Sequence, residues 1–139
     1  MFSKFKTFLC CFTFLVSLYL VGCKPAPSVK SNVITSDIDL FWEAYDAITQ
    51  IEDSTLQVNL FDSIFTKQGT EGLEKLMEVR RYSSEEYVNL INRYPAYWNS
   101  LRDNTKRASK LSEELNAGIA KLEKLYSPLK PAKIYFDIG

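Results

Sequence analysis

From Ser36 onward, apolar residues recur at three- and four-residue steps, the period of an amphipathic helix. Ile38, Phe41, Trp42, Tyr45 and Ile48 predict a first helix over about 37–52, and Ser36 followed by Asp39 has the spacing of a capping box. Ser54 with Gln57 repeats that spacing before Leu56, Leu60, Phe61, Ile64 and Phe65, and Gly69 offers a C-terminal stop. Thr70 is placed to cap a short helix bearing Leu73, Leu76, Met77 and Val79. Ser83 with Glu86 caps the next, bearing Tyr87, Val88, Leu90 and Ile91. Pro95 lacks a backbone donor but suits a first helical turn, so Tyr94 closes one helix and Pro95 opens another. From about Leu101 to Tyr126 one long helix carries Ala108, Leu111, Leu115, Ile119, Leu122 and Tyr126 on a single stripe, with Lys110, Glu113, Glu114, Lys121 and Lys124 facing water. Its length would be roughly 39 Å.

The period changes after Ser127-Pro128 and Pro131. In the closing run AKIYFDIG, Ile134, Phe136 and Ile138 alternate with Tyr135 and Asp137, which predicts a strand over 132–138. Nothing earlier reads as its partner. Either its sheet lies in sequence beyond this chain, or it pairs with another molecule, or the run is an apolar tail packed on the helices. The expected fold is mainly α: several short amphipathic helices plus one long helix, with a C-terminal β-strand lacking an in-chain partner.

The first residues follow another logic. Lys4 and Lys6 precede an apolar stretch from Thr7 to Val21, 15 residues long, which is short for a membrane span of about 20 residues and fits a secretion signal. Leu20-Val21-Gly22-Cys23 resembles the lipobox of bacterial lipoproteins, in which signal cleavage between the residues corresponding to Gly22 and Cys23 leaves an acylated cysteine at the new N-terminus. The expected organisation is a signal peptide over 1–22, an acylated anchor and flexible tether over 23–35, a helical domain over 36–131 and a terminal strand over 132–139 leading into an absent domain. Palmitate-type acylation of Cys23 would make the membrane a partner through lipid, since two or more acyl chains hold a protein stably. Lys24 after the anchor cysteine resembles lipoproteins sent on to the outer membrane of the cell envelope.

Composition narrows the chemistry. The chain of 139 residues has three cysteines and no histidine, which removes Ser-His-Asp and Cys-His catalysis and His-containing zinc sites. Cys10 and Cys11 leave with the signal and Cys23 is consumed by lipid, so no catalytic residue, metal ligand set or cofactor is expected in this chain. Removing Lys4 and Lys6 from seventeen basic residues leaves fifteen against seventeen acids, and no basic stripe points to nucleic acid. Tyr94, Tyr97 and Trp98 form a candidate aromatic contact surface for sugar or peptide, or else pack a helix junction. Asp37, Asp39, Glu43 and Asp46 gather acid that would suit a hard cation, though acids also favour helix N-termini through the backbone dipole. Arg80-Arg81 and Arg102 with Lys106-Arg107 would contact anionic lipid, or form a solvated face.

The order of SDIDLFWEAYDAI, KQGTEGLEKLMEVR, SSEEYVNLINRYPAYWNSLRDNT and LYSPLKPAKIYFDIG resembles the N-terminal region of predicted zinc-dependent proteases of the DUF2268 type, lipoproteins of Bacteroidota. The resemblance covers nearly all the mature chain. It implies an HExxH zinc helix downstream of the strand matching 132–138, so the zinc and the catalytic residues belong to a part that this chain lacks. The implied function is a membrane-anchored, non-catalytic helical portion of such a protein. The alternative is a free-standing small envelope lipoprotein, a binding or structural module whose strand 132–138 joins a protein partner.

Overall fold

Thr70 and Ser83 start helices by the chemistry their sequences suggest. The Thr70 hydroxyl accepts from Gly72 N at 3.2 Å, and Ser83 forms a full capping box with Glu86. The computed structural model describes residues 32–139. The expected signal peptide, Gly22, Cys23 and most of the tether lie outside the described residues. Chain order runs β1 (Asn32–Ile34), α1 (Ser36–Ile48), α2 (Ser54–Phe61) continuing into a π-helical turn (Asp62–Thr66), α3 (Glu71–Arg80), α4 (Ser84–Arg93), α5 (Pro95–Lys106), α6 (Ala108–Leu125) and β2 (Lys133–Tyr135). The fold is mainly α.

Two expected caps are not where the spacing put them. Thr35 rather than Ser36 stands at the start of α1 and makes no side-chain cap. Asp53 caps α2 by accepting from Leu56 N at 2.9 Å. Gln57 is thereby freed to turn inward, where its amide donates to the carbonyls of Ile48 (3.1 Å) and Ile51 (2.7 Å) and accepts from Asn92 Nδ2 (2.8 Å). The Ile48 carbonyl also accepts from Ile51 N at 3.0 Å, so the Gln57 amide adds a second donor there and supplies one to the Ile51 carbonyl in the loop after α1. Gly69 is not the expected stop, because the helical run ends at Thr66. The left-handed residue is instead Arg81, at the end of α3 with φ 59°.

Phe41, on the inward face of α1, sits at the centre of the core. Its ring meets Trp42, Phe61, Phe65 and Tyr87 edge-on and lies 5.2 Å from Trp98. Phe41, Phe61, Phe65, Ile48 and Leu73 are fully excluded from solvent. The aromatic quadrupole favours such edge-to-face pairs, which adds to the area each ring buries.

The long helix expected over 101–126 is two helices. Thr105 accepts from Trp42 Nε1 at 2.9 Å while its hydroxyl faces the carbonyls of Leu101 and Arg102. This ties the last turn of α5 to α1, and such back-bonding bends a helix. The chain restarts at buried Ala108, and the 18 residues of α6 span about 27 Å.

The terminal strand does have an in-chain partner, contrary to expectation. β2 pairs parallel with β1, Asn32 opposite Lys133, Val33 opposite Ile134 and Ile34 opposite Tyr135, and Phe136 N donates to Ile34 O at 2.9 Å. Asn32–Ile34, expected to belong to a flexible tether over 23–35, is strand. Val33 and Ile34 are β-branched, as a strand favours, but three residues show no period, and their partner is at the other end of the sequence. Of the expected 132–138 segment, only Lys133–Tyr135 is strand. Ile138 is buried in the core beyond it.

Candidate functional site

Behind the terminal strand stands Asp37, in the first turn of α1. Its carboxylate is 1% exposed and accepts from Thr70 N at 2.9 Å and from the Thr70 hydroxyl. This fixes the start of α3 against α1. Asp137, just past β2, brings a second carboxyl to Asp37. Burial pushes the Asp137 carboxyl up to about 7, reinforced by a hydrogen bond to Asp37 and by its like charge. Asp137 Oδ1 is buried without a partner, and the raised value leaves the Asp137 carboxyl protonated below about pH 7 beside Asp37. Next to them Tyr87 donates to Ile138 O at 2.7 Å. Burial, with Tyr82 and Asp137 nearby, raises the Tyr87 phenol and keeps it protonated.

On the outer side, Glu71 pairs with Lys133 at 3.0 Å and accepts from the Tyr135 hydroxyl at 3.2 Å. Lys133 chiefly, then Tyr135, hold the Glu71 carboxyl below its ordinary range, and Glu71 in turn raises Lys133. The Tyr135 ring lies against Gly72, where a Cβ would come within 2.2 Å of it. Glycine is required there for close approach. Gly72, Lys75, Leu76 and Val79 of α3 with Tyr135 and Asp137 line an open groove of about 840 Å³, edged by Glu71, Glu74 and Glu78. Phe136 N faces β1, so by the period of two the backbone groups of Lys133, Tyr135 and Asp137 face away from it. Among the described residues no third strand covers that edge.

This arrangement suits binding an extended chain and latching the terminal strand. No three His, Cys, Asp or Glu side chains converge as metal ligands among the described residues. The Asp pair has the composition of an acid dyad, but Asp37 is occupied by Thr70 and hidden from the groove by its burial.

The aromatic trio does not form one surface. Trp98 is buried and packs on Phe41, whereas Tyr94 and Tyr97 are exposed. Arg93 lies over the Tyr94 ring at 5.4 Å, while Tyr97 meets Trp98 edge-on. The helix-junction reading holds for Trp98. The acids of α1 do not gather either: Asp37 turns inward to Thr70, and Asp46 pairs with Arg102, whose guanidinium lies 4.6 Å over Trp42. That stacking removes Arg102 from any free basic patch. Sequence reasoning missed Asp137. An acid set between Phe136 and Ile138 in an apolar run was the available signal, but nothing local indicated Asp37 as its partner. In comparisons with family models, curated proteins and solved structures, the chain matches none of them.

Proposed function

We propose that the protein is a bacterial lipoprotein anchored through Cys23 at the cell envelope, at the outer membrane. Its helical body is the non-catalytic N-terminal portion of a protein resembling the DUF2268-type zinc-dependent proteases, with the HExxH part, its zinc and its substrate site downstream. The observation that carries the anchor is Leu20-Val21-Gly22-Cys23 at the end of a Lys-led apolar stretch. The observation that favours a downstream sheet is the uncovered outer edge of β2 in a sheet of two strands, since such small sheets are marginal alone. Two ends of the chain thereby meet in one ribbon, with the anchor leading into β1 and any following domain leaving from β2.

The second reading, a free-standing envelope lipoprotein that binds a partner strand, is favoured by the Tyr87 hydrogen bond to Ile138 O and by Ile138 in the core. These contacts use the tail within the chain's own fold. Two measurements separate the cases. Growth with a labelled fatty acid should label the wild type and leave Cys23→Ser unlabelled; equal labelling of both removes the anchor. Reading the gene past the codon for Gly139 then decides between the portions: an open frame leading to HExxH supports the protease portion, and an immediate stop supports the free-standing module.

A further inference from the structure

α6 is an amphipathic helix whose apolar side no other described residue covers fully. Leu111, Leu115, Leu122 and Leu125 are 47, 37, 49 and 85% exposed. At 100° per residue they fall within a sector of about 80°. The adjoining sector, with Ala108 and Ile119, faces β1 and the end of α5. On the solvent side the leucines are followed by Glu114 and then by Lys121 and Lys110. A stripe of this kind on a monomer's surface marks an interface.

Two observations identify what covers it. The first is charge. Residues 106–133 hold seven Lys or Arg against three Glu, whereas the rest of the chain from Cys23 onward holds eight basic residues against fourteen acids. Within α6 itself three Lys balance three Glu, and Lys133 is paired with Glu71 of the body, so the excess lies in the flanks at Lys106, Arg107 and Lys130, about +3 on a body of about −5, a distribution that favours an anionic surface. The second is reach. β1 lies against α6, and Asn32 is nine residues from Cys23, a distance of at most about 30 Å of chain. An acylated Cys23 would hold α6 within that distance of the bilayer. Among the described residues no helix is long and apolar enough to cross a membrane, so contact would be lengthwise.

We propose that α6 lies in the plane of an anionic lipid bilayer, with the Leu111, Leu115, Leu122 and Leu125 stripe at the acyl boundary and the flanking lysines at the headgroups. Reach rests on the anchor at Cys23; exposure and charge do not. The core is built from residues 38–138, so a chain of 23–139 carrying Cys23→Ala keeps it and has no cysteine. Leu125→Cys then gives one position for an environment-sensitive dye. Vesicles of phosphatidylcholine with phosphatidylglycerol should shift its emission to the blue. Leu111→Glu with Leu122→Glu should weaken partition about tenfold or more for each leucine, and Lys121→Glu with Lys124→Glu should weaken it while leaving the stripe intact. Three results would overturn the proposal: no shift with vesicles, equal partition into pure phosphatidylcholine, or a blue shift that follows protein concentration without lipid, which would assign the stripe to a second copy. The test protein carries no lipid, so its failure leaves fatty-acid labelling of Cys23 untouched.

Discussion

Replacing Asp137 by Asn should make the protein more stable at pH 8, by a margin that shrinks as pH falls and vanishes below about pH 4. The Asp137 carboxyl stands beside Asp37, and its value of about 7 lies well above the ordinary 3.8. The folded chain thus holds a proton that the unfolded chain has lost. Stability should fall as pH rises from about 4 to about 7 and stay level above that window. A fully shielded group with this shift would cost about 4 kcal/mol at pH 8, and partial contact with water reduces the cost to roughly 1–2 kcal/mol. Asparagine keeps a donor toward Asp37 and carries no charge to expel. No histidine titrates in this chain, and the depressed carboxyls Asp62 and Glu71 act below the window. The slope between pH 5 and 8 therefore isolates Asp137. Urea unfolding at several pH values measures it. A variant that keeps the wild-type slope, or is less stable than wild type at pH 8, would refute the raised Asp137 carboxyl.

Other perturbations test single contacts. Gln57→Ala removes the donor to Ile51 O and the acceptor of Asn92 Nδ2, while Ile48 O keeps its bond from Ile51 N, and should cost about 1–3 kcal/mol in denaturant unfolding. Ser83→Ala removes half of the α4 capping box and should cost about 1 kcal/mol. Gly72→Ala drives a methyl into the Tyr135 ring and should speed hydrogen exchange at Ile134 and Phe136; adding Tyr135→Ala should restore slower exchange. Phe41→Ala empties the centre of the aromatic core and should cost about 3–5 kcal/mol, read by the loss of a cooperative thermal transition at ordinary temperatures.

Helix identity was legible where the signal is local. Thr70, Ser83 with Glu86, and Pro95 each act within a few residues of themselves, and each does what its chemistry suggests. The Ser54 box failed because Gln57 had a stronger use: two buried carbonyls outweigh one exposed backbone donor. The break between α5 and α6 was hidden because the stripe is continuous across it, while its cause, Trp42 on Thr105, lies in α1. β1 and the Asp37 and Asp137 pair were illegible for a related reason. Both join opposite ends of the sequence, and neither partner alone shows a period or a motif. Of the candidate contact trio, Trp98 fills the core beside Phe41 while Tyr94 and Tyr97 remain outside, a split that adjacency in sequence does not show. The apolar stripe of α6 was legible, but that no other described residue would cover it fully was not, because periodicity shows a face and not what lies against it.

The anchor at Cys23 is the claim on which the placement of the whole molecule depends, and mass spectrometry of the N-terminal peptide from protein purified out of its own membranes tests it most directly. The expected species begins at Cys23 and carries diacylglyceryl, with residues 1–22 gone. An unmodified peptide spanning Gly22 and Cys23 would contradict the account.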